Sequence, residues 1–203
     1  YIDQHTSKIT PEQTSASLAI YADGSGTVSG SEDSTWGLAT GSGRTGVLAA
    51  VNRIPELIEP VLRLFIQQNH DLEITQIEFD VFGFSRGAAA ARHFVNEVLK
   101  QGGGVLATLF NPELAILKRG FQWQQDTCVN FVGLFDTVAA IANPDRGDWD
   151  AGDSSNPGVN LFLPPGCAKQ VVQLTAINER RYNFSLNRVH ESHLEIPLPG
   201  VHS

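Results

Sequence analysis

Short apolar runs alternate along the chain with longer stretches in which apolar residues recur every three or four positions. The short runs are rich in β-branched and aromatic residues, which predicts buried strands. They lie at residues 18–22, 77–82, 129–135, 170–174 and 194–198. Strands that alternate with helices predict a mostly parallel α/β sheet, with functional residues at the carboxyl ends of the strands.

Two stretches have the apolar spacing of amphipathic helices. The first covers residues 45–68, where Pro55 and Pro60 are expected to kink the helix or divide it in two. The second covers residues 87–101 and is expected to stop at three consecutive glycines. A weaker helical stretch is predicted within residues 105–125. Residues 143–166 are rich in Asp, Asn, Pro and Gly, which predicts a loop excursion.

Composition narrows the class of protein. A length of 203 residues suits one domain, and 41% hydrophobic residues are enough for a core. The net charge of −8 argues against nucleic-acid binding, which normally requires surplus Lys and Arg. No apolar run approaches the ~20 residues of a membrane-spanning helix. The first residues are too polar for a signal peptide.

The sulfur-containing residues add two expectations. Cys128 and Cys167 lack a CxxC spacing, so free buried thiols are favoured over a disulfide. The chain contains no Met, even at position 1. Tyr1 is therefore not expected to be a translation start, and the chain is expected to be part of a longer polypeptide.

The most informative segment is the pentapeptide GFSRG at residues 83–87, which fits G-x-S-x-G between a predicted strand and a predicted helix. At such a strained turn the hydroxyl of Ser85 stands clear of the sheet. Gly83 and Gly87 are expected because backbones crowd on both sides of the nucleophile. The helix N-terminus behind Ser85 favours a developing oxyanion, with the Arg86 N–H as one donor. The alternative is a glycine-rich turn without chemistry.

A serine nucleophile needs an acid and a histidine, and both follow in the order Ser, Asp, His. Asp136 ends the predicted strand at residues 129–135, where its carboxylate can orient an imidazole. Its alternative role is to cap the next turn. Asp80 is a rival carboxylate, but it lies inside a strand. The loop aspartates are expected only to solvate the excursion; these are Asp145, Asp148, Asp150 and Asp153.

Three histidines are candidates for the base. His202 follows the last predicted strand and the turn at Pro199 and Gly200, a loop position from which its ring can reach the nucleophile. His190 and His193 have an H-x-x-H spacing that would suit a metal. No third ligand or H-E-x-x-H pattern supports a metal site, and none is predicted.

Three other features have competing interpretations. The segment GSGRTG at residues 41–46 matches G-x-G-x-x-G, but no buried strand precedes it, so a substrate-facing loop is favoured over a nucleotide site. Three arginines form either a cationic patch that binds a phospholipid headgroup or an ordinary solvated surface; these are Arg180, Arg181 and Arg188. Docking on a bilayer competes with core packing for a set of apolar residues; these are Phe110, Leu161, Phe162 and Leu163.

Taken together, four blocks resemble the α/β-hydrolase domain of type VI secretion lipase effectors. These are GFSRGAAAAR at residues 83–92, GLFDTV at 133–138, LPGVHS at 198–203 and IYADGSGT at 20–27. The resemblance extends over most of residues 18–203. It implies a Ser85, Asp136, His202 triad in an α/β-hydrolase fold, a phospholipase activity against membranes of rival bacteria, and no cofactor.

The same resemblance implies partners and a location. Effectors of this kind remain in the bacterial cytoplasm until a type VI apparatus delivers them to the periplasm of target cells, and a cognate immunity protein protects the producer. An apolar strand ending in F-D-G-T and a continuation past the histidine are absent here, and Asn178 stands where Asp is expected. Residues 1–203 are therefore predicted to be one α/β-hydrolase domain, incomplete at both ends. The alternatives are a non-catalytic binding module and a general carboxylesterase or thioesterase.

Overall fold

The computed structural model describes residues 9, 13–22, 46–69, 71–110, 116–139, 158–181 and 184–202. Residues 41–45 of the glycine-rich motif and residues 143–157 of the predicted loop excursion lie outside these ranges. Residues 158–166 follow without regular secondary structure, as the excursion predicts. No helix in the described ranges combines the length and the apolar character that a membrane crossing requires.

The first amphipathic stretch forms two helices, as the prolines predict. Helix α1 covers Val47–Asn52, and α2 covers Ile54–Gln68. The division falls at Arg53, just before Pro55, which occupies the first turn of α2, where its missing N–H costs no helical bond. Pro60 lies inside α2. Buried Val51 and Leu62 show that both helices turn their apolar side to the core.

Four parallel strands form one sheet in the order β1-β2-β3-β4. Strand β1 is Ile77–Phe84, β2 is Thr127–Phe135, β3 is Gln170–Ala176 and β4 is Leu194–Leu198. Pro197 is tolerated in β4 because this strand lies at the edge of the described sheet. The prediction of a mostly parallel sheet is confirmed, and four of the five predicted strands form.

Helix α3, Arg86–Val98, connects β1 to the rest of the core. Its alanines and valines pack with the inward side chains of β1, β2 and β3, including Val132 and Leu134, which are fully buried. The register places the alternate side chains of the strands on the opposite face. That face leaves large apolar side chains exposed, namely Phe82, Phe84, Phe135, Leu194 and Leu198.

The predicted strand at residues 18–22 is wrong. These residues have no regular structure, and the Tyr21 side chain is 68% exposed. A five-residue apolar run forms a strand only when a neighbour pairs with its backbone. The structure pairs the described residues of this run with no strand, so the local pattern alone does not order them.

Two further boundaries differ from the sequence predictions. Helix α3 ends at Val98, and the glycines after it enter a 3-10 segment, Gln101–Leu106, where Gly102 and Gly103 have φ of 74° and 85°. Within residues 105–125 the described helical residues are the end of that segment and the start of a single turn, α4, Trp123–Asp126. Leu117, from the predicted helical stretch, instead forms a bridge with Ile74, and residues 111–115 lie outside the described ranges. The helix ends before the glycines are reached, because the backbone of Lys100 is already extended, with φ of −66° and ψ of 147°.

At the turn between β1 and α3, the backbone of Gly83 lies close to the backbone of Gly87. A Cβ on Gly83 would lie 2.3 Å from the carbonyl oxygen of Gly87, closer than any real contact permits. A Cβ on Gly87 would meet no atom within 4 Å outside its own helix. The expectation that crowding requires both glycines is therefore correct for Gly83 and wrong for Gly87, whose position faces open space.

Arg92 links α3 by hydrogen bonds to two loops, one before β3 and one before β4. Its guanidinium is buried and donates hydrogen bonds to the carbonyl oxygens of Leu161, Asn187 and Arg188, the last two at 2.9 and 3.2 Å. Residues 187 and 188 lead directly into β4. Arg92 thereby fixes the path of the chain toward its last strand.

We expect Gly83→Ala to destabilise the fold by about 3 kcal/mol or more, because the new methyl group meets backbone that cannot move away alone. Gly87→Ala is the matched control, and it should stabilise α3 by about 0.5–1 kcal/mol. Urea unfolding of both variants measures the difference. Equal stabilities would contradict the close approach at Gly83.

We expect Arg92→Lys to lower the free energy of unfolding by about 2–4 kcal/mol, because one ammonium group cannot reach three carbonyl oxygens in different directions. Arg63→Lys is the control, since Arg63 forms an exposed ion pair with Glu59 on α2. Urea denaturation monitored by tryptophan fluorescence measures both. A loss at Arg92 no larger than that at Arg63 would contradict the role of its hydrogen bonds.

Candidate active site

Three predicted side chains meet at one edge of the sheet because parallel strands end there together. Phe84, the last residue of β1, pairs with Phe135, the last residue of β2, and Phe135 pairs with Leu174 of β3. Ser85 and Asp136 therefore leave the sheet side by side. The register of β4 places its end beside the end of β3, and His202 follows four residues later.

Ser85, His202 and Asp136 form a continuous hydrogen-bonded chain. Nε2 of His202 lies 2.7 Å from Oγ of Ser85, and Nδ1 of His202 lies 2.6 Å from Oδ2 of Asp136. A carboxylate only accepts hydrogen bonds, so Nδ1 donates, and Nε2 is left to accept from the hydroxyl. Asp136 and His202 are 7% and 6% exposed. The arrangement places a neutral imidazole nitrogen on the Ser85 hydroxyl, and the buried carboxylate of Asp136 holds the tautomer of that imidazole.

The second carboxylate oxygen of Asp136 is also occupied. Oδ1 accepts the backbone N–H of Ala176 at 3.0 Å, and the Asp136 N–H donates to the carbonyl oxygen of Leu174 at 2.7 Å. The backbone of Asp136 has a φ of 50°. These carboxylate bonds reach across the site to Ala176 and His202, whereas a cap would bond to N–H groups of the turn that follows Asp136.

Ser85 occupies a strained backbone position. Its φ of 55° and ψ of −121° are rare for a residue with a side chain, and such conformations cost about 1–3 kcal/mol. Surrounding bonds hold it: the Ser85 N–H donates to Phe135, and the Ser85 carbonyl accepts from Ala88 and Val138. Arg86 follows as the first residue of α3, at the positive end of the helix dipole. Its role as an oxyanion donor stays a prediction.

Two phenylalanines enclose the ring of His202. Phe84 stacks on it with a centroid distance of 4.8 Å, and Phe184 lies tilted at 4.7 Å on the same ring. Sequence reasoning missed both. Phe84 lies inside the GFSRG motif, so its place beside the nucleophile was available as a signal, but Phe184 is in an irregular segment without a pattern.

An open cavity of about 600 Å³ adjoins His202. It is lined by Asn178, Glu179, Arg180, Arg181, Val201 and His202. Arg180 and Arg181, two of the three arginines considered for a cationic patch, belong to it, whereas Arg188 is paired with Glu195. A patch of all three arginines does not form, and Arg181 is itself paired with Glu179.

The remaining candidates lie away from this cluster. Asp80 accepts a hydrogen bond from Asn130 on the exposed side of β1. His190 bonds to Ser192, and Nε2 of His193 donates to the carbonyl oxygen of Leu163 at 2.9 Å. No group of three potential metal ligands occurs within the described ranges. Both cysteines are free thiols; Cys167 is buried, as predicted, but Cys128 is only half-buried.

The alternatives of bilayer docking and core packing divide among the four apolar candidates. Leu161 and Leu163 are buried and Phe110 packs against the core, in agreement with core packing. Phe162 is 55% exposed. Only this side chain retains the surface position that docking requires.

Among solved structures, the chain is similar to a secretion effector. The chain is 39% identical to the Tle1 effector, in the structure of that effector bound to the VgrG spike of the type 6 secretion system. The match covers 83% of this chain and 31% of that chain, with a TM-score of 0.63. The chain thus spans about a third of the length of this neighbour.

The other comparisons add little. The crystal structure of an uncharacterized protein from Pseudomonas aeruginosa is 24% identical over 75% of this chain and 23% of that chain, with a TM-score of 0.44. No protein-family model and no curated protein matches the chain. In sequence and fold, the chain is therefore similar to a type VI secretion effector.

Proposed function

We propose that this chain is the α/β-hydrolase domain of a serine ester hydrolase, with Ser85 as nucleophile, His202 as general base and Asp136 as the orienting acid. One observation carries the proposal. The imidazole of His202 lies within hydrogen-bond distance of both Ser85 Oγ and Asp136 Oδ2, at 2.7 and 2.6 Å, on a strained strand-to-helix turn. The parallel sheet and the order Ser, Asp, His along the chain support this fold.

The mechanism follows from the roles of these atoms. Ser85 Oγ attacks an ester carbonyl while His202 Nε2 takes the hydroxyl proton, and the resulting imidazolium is stabilised by Asp136. The Arg86 N–H, at the positive end of α3, is the proposed donor to the tetrahedral oxyanion. His202 returns the proton to the leaving alcohol, which departs and leaves an acyl-enzyme. Water, deprotonated by His202, then hydrolyses the acyl-enzyme and regenerates Ser85.

A membrane glycerophospholipid is the proposed substrate. The site lies at the end of an exposed apolar sheet face, where Phe84 and Phe135 are 47% and 43% exposed. Contact of this apolar surface with lipid acyl chains is more favourable than its contact with water. The cavity beside His202 adds Arg180 and Arg181 against one carboxylate, Glu179, so its side chains carry a net positive charge that complements a lipid phosphate.

The biological setting is proposed from similarity. The Tle1 effector is bound to a VgrG spike in its structure, and this chain resembles lipase effectors in its sequence blocks. We therefore propose that it acts as an antibacterial toxin, delivered from the producing bacterium by a type VI apparatus into the periplasm of a target cell. A cognate immunity protein would protect the producer.

A fluorophosphonate should modify wild-type protein at Ser85 alone, and Ser85→Ala should not be labelled. We expect Asp136→Asn to lower the labelling rate by about a thousandfold or more, because an amide opposite Nδ1 favours the wrong tautomer of His202. Asp80→Asn is the matched control and should label at the wild-type rate. Intact-mass and peptide mass spectrometry measure these rates.

The same experiment separates the proposed enzyme from its alternative. A folded wild-type chain that resists labelling would contradict an activated nucleophile and favour a non-catalytic binding module. Equal loss of labelling in Asp136→Asn and Asp80→Asn would contradict the assignment of Asp136 as the acid.

Phospholipid vesicles should be hydrolysed with release of fatty acid. At low salt, Arg180→Ala should lower the rate of this hydrolysis severalfold, because the variant lacks one charge-assisted contact to the lipid phosphate. Hydrolysis of a neutral short-chain ester should not change in Arg180→Ala. Arg63→Ala, an exposed arginine on α2, is the control. Preference for short esters or thioesters over vesicles would instead indicate a general carboxylesterase or thioesterase.

A further inference from the structure

The segment after β3 lies against the segment that carries His202. Backbone bonds continue past the ends of the strands, from Ile177 N–H to Leu198 and from Asn178 N–H to Gly200. The Asn178 side chain accepts the Gly200 N–H at 2.9 Å in return. This pairing stops two residues before His202, at Gly200, which has a φ of 140°. From that point the backbone of His202 is held by side chains.

Glu179 supplies the first of these side chains. Its Oε2 accepts the backbone N–H of His202 at 3.1 Å, and its Oε1 accepts the backbone N–H groups of Arg180 and Arg181 at 3.0 and 2.6 Å. The side chain is 8% exposed. A carboxylate with this many donors is fixed in one rotamer, so it presents a fixed acceptor to His202.

Arg181 supplies the second side chain that holds the backbone of His202. Its guanidinium binds Glu179 in a fork, with Nε at 2.9 Å from Oε1 and Nη2 at 2.7 Å from Oε2. The same Nη2 donates to the carbonyl oxygen of His202. The guanidinium also lies over the ring of Phe184, 4.2 Å from its centroid, and that ring packs on the His202 imidazole. Arg181 therefore reaches His202 through both its backbone and its aromatic neighbour.

We propose that Glu179 and Arg181 are positioning residues, here called the His202 clamp, that hold the N–H and the carbonyl group of His202 and so set its distance from Ser85. The inference rests on the proposed function, in which His202 is the base. No regular secondary structure fixes this histidine. The clamp takes the place of strand pairing at the point where the backbone ladder has ended.

The chemistry of the pair suits this role. The hydrogen bonds from Arg181 lower the pKa of Glu179 to about 2, so the carboxylate stays charged throughout the neutral range. A planar guanidinium can bind both carboxylate oxygens and a carbonyl oxygen at once, which an ammonium cannot. Arg181 is consequently specified by geometry as well as by charge.

The test compares the conservative variants Glu179→Gln and Arg181→Lys with a matched pair, Glu59→Gln and Arg63→Lys, at the exposed ion pair of α2. The first readout is the rate of Ser85 labelling by a fluorophosphonate, alongside the thermal midpoint of each variant. We expect a loss of about ten- to a hundredfold in both clamp variants, since small displacements of a reacting group cost this much. The α2 variants should label at the wild-type rate.

The double variant Glu179→Gln, Arg181→Lys distinguishes one clamp from two independent contacts. Because both residues act on the same atoms of His202, its loss should be about that of the worse single variant rather than the product of the two. If labelling were lost only because the fold is less stable, the loss would follow the fall in the thermal midpoint. Substitutions of buried residues elsewhere in the chain would then cause an equal loss.

A second readout needs no activity. The downfield proton resonance of His202 Nδ1, in its bond to Asp136, should shift or broaden in Glu179→Gln and Arg181→Lys within a Ser85→Ala background. If wild-type protein is not labelled, the proposed function fails while this resonance still tests the clamp. Wild-type labelling rates together with an unchanged resonance in both clamp variants would overturn the inference.

Discussion

The approach of Gly83 to the carbonyl group of Gly87 is the constraint on which the rest of the site depends. It lets β1 turn directly into α3 and forces Ser85, between them, into a rare backbone conformation. That conformation is retained because Phe135, Ala88 and Val138 bond to its backbone. Among the described non-glycine residues, Ser85 and Asp136 both have positive φ, and the buried core under α3 compensates for the strain at Ser85.

The parallel register transmits this constraint across the sheet. Because β1 and β2 end at the same level, Asp136 leaves β2 beside Ser85. Strand β3 continues two residues further, and the N–H of its last residue, Ala176, holds the Asp136 carboxylate. A buried polar network continues beneath it. The hydroxyl of Thr137 bonds to Gln173, and the Gln173 amide donates to Glu195 of β4. These bonds satisfy polar groups that would otherwise be costly in the core.

His202 depends on longer-range contacts than its two partners. Its ring lies between Phe84 and Phe184, while Glu179 and Arg181 hold its backbone. Strand β4 reaches this position along a path that Arg92 fixes from α3. His202 is therefore placed by packing and side-chain bonds, whereas Ser85 and Asp136 are placed by the sheet itself.

Local patterns in the sequence alone determined the parallel α/β class, four strands, the divided first helix and the positions of Ser85 and Asp136 at the ends of two strands. These features follow from local patterns because the periodicity of strands and helices, and the effects of proline and glycine on the backbone, depend on residues only a few positions apart. Only tertiary structure decided that residues 18–22 form no strand, that Gly83 and not Gly87 is crowded, and that Phe184, Glu179 and Arg181 surround His202. Each of these outcomes depends on which distant backbone or side chain is the neighbour, and no local pattern encodes that neighbour.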